Sequence, residues 1–497
     1  MDILRLARPE ALLAGAALLI MAVDFLVLRR QPQWIRMGLL SWLAALSCAA
    51  AIVLMAYYPA FGRLPGGMMT INWTTQLVKM GLLLLSLFTI LISADADFTE
   101  HVGEYFALIL FATIGMTLLA SAENLLMLFV ALELSSLSLY ILAAFNKQDA
   151  NSAEAALKYF LFGGMAAAFM LFGMSLLYGA CGTLQLSELS ARLNGHGTDL
   201  LAITALVMIV IGFGFKVAAV PFHLWAPDAY QGAPTPSAAL IASGSKLAGF
   251  FILGKFMMAG FSSMKGSAAW QDFATGWVPL LALLALLSMV LGNLAAIVQS
   301  NVRRLLAFSA IAHGGYTLIA LLSNSPEGMA AVIFYMIVYG LTVIGAFGVV
   351  ACVERETGGA TMADFAGLAR RSPVLAVCLL IFFLSLAGIP PLGGFFGKFY
   401  LFLAALKHPG NSLDLLWLVA VAIATSTISL YYYLQVLKHA FVSPPPQSTA
   451  SPNANAQVPP AQSTAVWSIV LLAFAVLAIG CFPQWLLNLI LTSLRFG

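Results

Sequence analysis

The chain consists of long apolar runs separated by short polar connections. Windows of about 20 mostly apolar residues, the length that a helix needs to cross a membrane, can be placed about fourteen times. The approximate centres of these windows are Leu19, Leu46, Leu85, Phe111, Leu134, Phe169, Met208, Gly249, Ser288, Ile319, Val343, Ala387, Ser426 and Ala475. A membrane β-barrel would not give such long unbroken runs. The pattern therefore predicts an all-α polytopic membrane protein with about 14 transmembrane helices.

The spacing of the runs divides the chain into five parts. We expect three transmembrane helices in residues 1–102, five in 103–260, five in 277–441 and a last one in 466–497. The first apolar run, residues 11–28, has arginines on both flanks and no small-residue cleavage site, which favours a retained helix over a removed signal. Residues 443–465 are rich in Pro, Ser, Asn and Gln and predict a flexible loop before the last helix.

The two five-helix parts resemble each other in sequence. The stretch "ENLLMLFVALELSSLSLYILAAF" and the segment that follows it resemble "VRRLLAFSAIAHGGYTLIALL" and the segment after that. The two pairs lie about five helices apart, and a shift of five helices reverses direction across the membrane. Such an echo predicts two inverted repeats, and transporters with inverted repeats place ion sites on broken helices in corresponding positions.

Two of the predicted helices contain proline together with lysine. The seventh carries "GFGFKVAAVPFHLW" and the twelfth carries "SLAGIPPLGGFFGKFYLF". Proline removes a backbone donor, so we expect helices 7 and 12 to be broken at Pro221 and at Pro390–Pro391. A packing kink is the alternative for either one alone. Freed carbonyls at membrane depth need protein or water as partners, so two such breaks together favour an ion pathway.

Ionisable residues occur inside the apolar runs. Glu133, Lys216, Lys246 and Lys398 are our principal candidates, and Lys158 is a further one. A charge at the bilayer centre costs ~2.5–3.5 kcal/mol, so each must face the bundle interior or water. The alternative for each is a snorkelling side chain or a structural ion pair, which we prefer for Lys255.

These residue types suit proton transfer. A desolvated lysine can release its proton near neutral pH, and a nearby carboxylate favours the charged form, so we expect a Glu133–Lys216 pair to hold and release a proton. His223 is a candidate relay, with a structural hydrogen bond in the helix break as the alternative. Serines rank below the charges, because they also pack helices; those considered are Ser135, Ser136, Ser243 and Ser245.

Composition excludes several other functions. The 497 residues are 62% hydrophobic and only 9% charged, with a net charge of +3 and no basic run that could neutralise a row of phosphates, so nucleic acid is not an expected partner. The five cysteines are widely spaced without a C-x-x-C motif, which argues against iron–sulfur and zinc sites. We expect no metal, cofactor or redox centre in this chain.

The basic residues give a weak prediction of orientation, because cytoplasmic loops carry more Lys and Arg. With the amino terminus outside, the inner loops hold Arg29, Arg30, Arg36, Lys147, Arg303, Arg304, Arg355, Arg370, Arg371 and Lys438. The outer side holds Arg5, Arg8, Arg63, Lys79, Arg192, Lys265, Lys407 and Arg495. Ten against eight favours both termini outside.

From about Glu104 to Phe441 the sequence resembles the antiporter-like, proton-translocating membrane subunits of respiratory complex I and their relatives. The strongest stretches are "FKVAAVPFHLWAPDAYQGAPTPSAALIASGSKLAGF", "VRRLLAFSAIAHGGY" and "LAGIPPLGGFFGKFYLF". The resemblance implies fourteen helices, two inverted five-helix repeats and a half-channel in each. The family's essential glutamate of helix 5 falls on Glu133, its lysines of helices 7 and 8 on Lys216 and Lys246, and its charge of helix 12 on Lys398.

The resemblance implies further properties. Of three paralogous subunits, one continues into a long lateral helix, whereas this sequence ends at Gly497, and another has glutamate in place of Lys398; the third fits best. Its partners are the other membrane-arm subunits, and its location is a bacterial inner membrane. The alternatives are a subunit of a sodium/proton antiporter complex or of a membrane-bound hydrogenase, and a scaffold with a lost channel. Retention of all four axial charges argues against the scaffold.

Overall fold

The computed structural model describes residues 5–64, 66–194, 199–406, 414–445 and 463–495. Most of the predicted flexible loop, residues 446–462, and Lys407 lie outside the described residues. The described part is almost entirely helical, and thirteen of its helices are long and apolar enough to cross a membrane. Pro373–Ala387 and Gly393–Leu406 are two shorter apolar helices, one on each side of the break that the sequence predicts in span 12. The predicted all-α membrane fold is confirmed.

The first eleven helices are α1 Arg8–Val23, α2 Gln33–Tyr57, α3 Trp73–Ser93, α4 Val102–Ser121, α5 Leu125–Ala143, α6 Ala150–Cys181, α7 Leu186–Leu193, α8 Leu200–Val217, α9 Trp225–Gly232, α10 Thr235–Ala242 and α11 Gly244–Gly260. The remaining ones are α12 Trp277–Ile297, α13 Val302–Leu322, α14 Pro326–Thr357, α15 Leu368–Arg371, α16 Pro373–Ala387, α17 Gly393–Leu406, α18 Leu416–Phe441, α19 Thr464–Cys481 and α20 Pro483–Arg495.

A few short elements complete the fold. Asp24–Leu28 extends α1 as a π-helix, and Ser262–Met264 and Met362–Phe365 are 3₁₀ turns. Two small antiparallel hairpins lie in the connections: β1 Gly62–Arg63 pairs with β2 Thr70–Ile71, and β3 Ser267–Ala268 pairs with β4 Phe273–Ala274.

Successive spans run in opposite directions. The connections after spans 2 and 4 meet in a backbone bridge between Met69 and Ala122. The connections after spans 1 and 3 meet where the Gly103 amide donates to the Asp24 carboxylate, at 2.8 Å. We call the face where α1 begins the first face and the other the second face.

The two repeats can be recognised by matching backbone bonds at opposite faces. Asn124 caps α5 and pairs with Gln185 at the first face, whereas Asn301 caps α13 and pairs with Thr361 at the second face. An asparagine at this position accepts a hydrogen bond from the first helical turn, so the sequence starts both helices in the same way. The same contact at opposite faces is the structural form of the inverted repeat.

The middle of the bundle is formed by α10 and α11, which carry Lys246, together with α13 and α14. The apolar window of Thr235–Gly260 is wholly buried, and those of α13 and α14 are 94% buried. The windows of α1 and α6, by contrast, are only 28% and 33% buried. Any polar side chain on α11 or α13 must therefore find its partner within the protein.

Candidate proton pathway

The backbone at the helix break of span 7 is held by hydrogen bonds. Helix α8 ends with Ala218 in the left-handed conformation at φ 57°, and the amides of Ala218 and Ala219 bond to the carbonyls of Phe215 and Gly214 at 3.0 and 2.8 Å. This pair of hydrogen bonds is a common way to satisfy the last carbonyl groups of a helix. The Val220 amide donates to Ser288 Oγ at 2.9 Å, and the Trp225 indole donates to the Phe215 carbonyl at 3.2 Å.

The break of span 12 repeats this arrangement. Gly388 adopts φ 88°, and the amides of Gly388 and Ile389 bond to the carbonyls of Ser385 and Leu384, both at 3.0 Å. The Gly394 amide of the next helix donates to Ser385 Oγ at 3.1 Å. Both predicted breaks are therefore present, and both are closed by the same hydrogen bonds.

The two lysines do not occupy equivalent positions in these breaks. Lys216 precedes Pro221 by five residues, whereas Lys398 follows Pro391 by seven. Counted from the proline, the position in span 7 that matches Lys398 holds Asp228. The repeats thus share a backbone design but place their cations on opposite sides of the break.

Lys216 is fully enclosed and is held by serines. Its Nζ donates to Ser135 Oγ and to Ser136 Oγ on α5, each at 3.0 Å. Glu133 lies on the same helix, and its Oε1 is buried without a hydrogen-bond partner among the described residues. Glu133 and Lys216 therefore do not form a direct ion pair in this structure. The lysine is instead bonded to two serine hydroxyls, a residue type that the sequence analysis ranked below the charged candidates.

Close glycine contacts make room for this arrangement. Gly115 of α4 lies so near α5 that a Cβ there would be 2.5 Å from the Ser135 amide nitrogen. A Cβ at Gly249 of α11 would lie 3.3 Å from Lys216 Cγ. Backbones can approach this closely only where one side lacks a side chain.

Lys246 lies in the centre of the bundle, next to an interruption of span 8. Ser243 separates α10 from α11 with φ −113° and ψ −79°. The Lys246 Nζ donates to the Ala310 carbonyl of α13, and its side chain is 2% exposed. Ser243 bonds the Ala239 carbonyl of its own helix instead of the lysine.

His313 is a site residue that the sequence analysis missed. It is buried on α13, one turn after Ala310, with Nδ1 bonded to the Tyr335 hydroxyl and Nε2 to the Tyr433 hydroxyl at 3.1 Å. The Tyr433 hydroxyl also contacts Ser309 Oγ. A histidine inside the apolar run "LLAFSAIAHGGYTLIALL" was the available signal.

Lys398 completes the line of cations. Its Nζ donates to the Ala387 carbonyl at 3.0 Å and to Ser426 Oγ at 2.8 Å, and lies 5.2 Å from the centre of the Tyr316 ring. It lines a crevice of about 310 Å³ between α17 and α18, with half-exposed Phe399 and Ile423 among the lining residues. The opened helix end thus supplies a carbonyl to the ammonium.

The remaining two candidates lie elsewhere. His223 lies in the break of span 7, half-buried, and its Nδ1 has no hydrogen-bond partner among the described residues. Lys158 lies on exposed α6 and forms ion pairs with Glu154 and Asp228, each at 2.7 Å, while Asp228 also pairs with Arg304. The structure therefore places Lys158 in a surface ion-pair cluster, away from the partners of Lys216 and Lys246.

Two other lysines are paired at the first face. Lys255 forms an ion pair with Glu123 at 2.8 Å, as expected. Lys79, which the charge count placed outside, lies about two turns inside α3, fully buried, and pairs with Glu10 at 2.8 Å. The count of basic residues in loops placed Lys79 in a connection because the apolar window of that span was centred further along the chain, at Leu85.

Comparison with known proteins identifies the family. A profile described as "NADH:quinone oxidoreductase/Mrp antiporter, TM" matches residues 122–429. The chain belongs to this family. It is 47% identical to NADH-quinone oxidoreductase subunit N 2 of Acidobacterium capsulatum, over 98% of each chain. It is 38% identical to NADH-quinone oxidoreductase subunit N of Anaeromyxobacter sp., over 96% of this chain and 93% of that one.

Chains of several solved structures have the same fold as this chain. A chain of respiratory complex I from Thermus thermophilus with bound aureothin is 32% identical and superimposes with a TM-score of 0.76, over 97% of this chain and 98% of that one. A chain of the archaeal membrane-bound sulfane sulfur reductase is 25% identical, with a TM-score of 0.79 over 99% and 97%. A chain of the Mrp complex from Dietzia sp. DQ12-45-1b, 20% identical, shares the fold with a TM-score of 0.81 over 99% and 97%.

Proposed function

We propose that this chain is a proton-translocating membrane-arm subunit of a bacterial NADH:quinone oxidoreductase. The observation that carries the proposal is the line of enclosed cations and hydroxyls through both repeats: Lys216 on Ser135 and Ser136, Lys246 on Ala310, His313 between two tyrosines, and Lys398 on Ala387 and Ser426. Four titratable groups in an apolar bundle are costly to bury, and a proton path accounts for their retention.

The contacts support a stepwise path. Each lysine is held by neutral oxygens, so it can lose a proton without leaving a buried carboxylate unpaired. His313 has a ring nitrogen on each of two hydroxyls, and a ring in this position can accept a proton on one side and release it on the other. Glu133, on the same turn of α5 as the serines that contact Lys216, would favour the charged form of this lysine. His223 would relay protons at the break of span 7.

Coupling to redox chemistry would come from other subunits. We expect no flavin, metal or iron–sulfur cluster in this chain and assign quinone reduction to its partners in the complex. The first face would be the periplasmic side of the inner membrane, with both termini there, and the second face cytoplasmic. Other membrane-arm subunits, lipid, water and protons are the expected partners.

A subunit of a multisubunit sodium/proton antiporter or of a membrane-bound hydrogenase is the second candidate. The same fold occurs in the Mrp complex chain. The greater identity to the subunit N proteins, 47% and 38%, favours the oxidoreductase. The two differ in whether transport requires quinone reduction or an opposing sodium gradient.

The test is proton uptake by liposomes containing the assembled complex, normalised to quinone reduced. Lys216→Ala should lower this ratio by the share of this subunit while the complex still assembles, since the lysine carries protons and does not pack the core. Lys438→Ala, an exposed lysine at the end of α18, is the control and should leave the ratio unchanged. An unchanged ratio in fully assembled Lys216→Ala complex would remove this lysine from the path. Uptake driven by sodium without quinone reduction would instead favour the antiporter.

A further inference from the structure

Two ion pairs at the first face, one buried and one partly buried, have no part in the lysine line described above. Glu10 of α1 pairs with Lys79 of α3 at 2.8 Å, with side chains only 6% and 0% exposed. Glu123, after α4, pairs with Lys255 of α11 at 2.8 Å, with side chains 14% and 17% exposed. A buried ion pair is often no better for stability than apolar packing of the same volume, so the Glu10–Lys79 pair calls for another explanation.

The Glu10–Lys79 pair is incompletely satisfied. Among the described residues, neither Glu10 oxygen, nor Lys79 Nζ, nor Gln76 Oε1 has a well-aligned hydrogen-bond partner. A cavity of about 20 Å³ adjoins Lys79, and among its mainly apolar lining residues are Gln76, Lys79 and Arg5. This is room for one water, for which Gln76 and Lys79 offer polar partners.

The two pairs belong to one cluster. Lys255 Nζ also donates to the Ala122 carbonyl at 2.9 Å, and Ala122 forms the bridge to Met69 beside the β2 hairpin. Ile71 of that hairpin lines the cavity at Lys79.

A polar stripe joins this cluster to the lysine line. Thr113, Thr117 and Ser121 follow each other at every fourth residue of α4, all at most 1% exposed, and end beside Ala122. Residues four apart lie on one face of a helix. Each hydroxyl donates to a carbonyl of its own helix and so remains free to accept a hydrogen bond.

The inner end of the stripe lies at the site already described. Met116, three residues after Thr113 and so on the same side of α4, packs against Gly244, two residues before Lys246. Thr113 Oγ1 also lies 2.7 Å from Ser86 Oγ of α3, within hydrogen-bond distance, and Ser86 is seven residues from Lys79.

We propose that the Glu10–Lys79 and Glu123–Lys255 pairs form a proton-release site at the first face, fed along the Thr113–Thr117–Ser121 stripe. This proposal rests on the proposed function. A proton arriving at the cluster binds the Glu10 carboxylate and breaks its ion pair with Lys79. Loss of that proton to the first face restores the pair, so one proton enters and one leaves.

The alternative is that the Glu10–Lys79 pair only fastens α1 to α3. The experiment compares Glu10→Gln/Lys79→Met with Asp24→Asn/Arg36→Met in assembled complex. The second pair joins the extension of α1 to α2 at the opposite face, at 2.8 Å and with side chains 15% and 10% exposed, and serves as the control for loss of an ion pair. Both double variants remove two charges together, so neither leaves a buried charge alone.

Protons taken up per quinone reduced should fall with Glu10→Gln/Lys79→Met as far as with Lys216→Ala, and should stay normal with the control and with Glu10→Asp. An infrared difference band of a protonated carboxyl during turnover should disappear in Glu10→Gln. A normal ratio in Glu10→Gln/Lys79→Met beside a lowered ratio in Lys216→Ala would overturn the release site alone. Normal ratios in both would overturn the proposed function, and the release site with it.

Discussion

At the scale of single residues, the structure corrects the expected partner of Lys216. The sequence pointed to a carboxylate, because Glu133 is the nearest opposite charge in an apolar helix. The ammonium is instead bonded to the two serines that follow Glu133 on α5. Which side chains touch depends on the rotation of α5 against α8, and a single apolar sequence carries little information on that angle.

Replacing these serines tests their role. We predict that Ser135→Ala/Ser136→Ala lowers proton-coupled turnover roughly tenfold or more, because a hydrogen bond to a charged group contributes ~1.5–3 kcal/mol and ~1.4 kcal/mol is a factor of ten. Ser138→Ala is the matched control, since Ser138 bonds only the Leu134 carbonyl of its own helix. Equal turnover in the two variants would show that the serines merely pack α5.

At the scale of elements, the prolines identified both breaks, but not how the helices are closed. The residue in the left-handed conformation is Ala218 in one repeat and Gly388 in the other. Each lies three residues before a proline of its break, Pro221 or Pro391. Only the glycine could have been read from the sequence, since alanine is uncommon there. The interruption at Ser243 has no proline and was not predicted.

The two left-handed positions should respond differently to exchange of glycine and alanine. Ala218→Gly should leave transport normal and relieve ~1–2 kcal/mol of backbone strain. Gly388→Ala adds that strain and sets a methyl group 3.1 Å from Lys398 Cδ, so transport should fall. Proton uptake by the two assembled variants measures the effect on transport, and their thermal unfolding measures the effect on backbone strain. Normal transport in Gly388→Ala would mean that Lys398 can move without loss of function.

At the scale of the whole molecule, hydropathy predicted the spans, because each apolar window reports membrane crossing without reference to its neighbours. The resemblance between the two five-helix parts predicted the repeats. Hydropathy could not show which charges meet across the bundle. Lys158 and Lys246 both lie in apolar runs, yet Lys246 is enclosed while the Lys158 side chain is 38% exposed beside Asp228 and Glu154.

This difference gives a prediction for Lys158. Lys158→Ala should leave the protons taken up per quinone reduced close to the wild-type value, because the lysine belongs to a surface ion-pair cluster. Its effect should appear in the yield of assembled complex, since α6 is an exposed helix whose neighbours would be lipid or another subunit. A loss of uptake as large as that of Lys216→Ala would return Lys158 to the path.

The central claim is that Lys398 gives up and regains a proton in each cycle. The most direct test is proton uptake per quinone reduced in liposomes containing assembled Lys398→Arg complex, with Lys398→Ala beside it. Arginine keeps the positive charge but does not release its proton near neutral pH, so the account predicts that both variants lose the same share of uptake. Normal uptake with arginine would show that a fixed charge suffices at this position and would contradict the account.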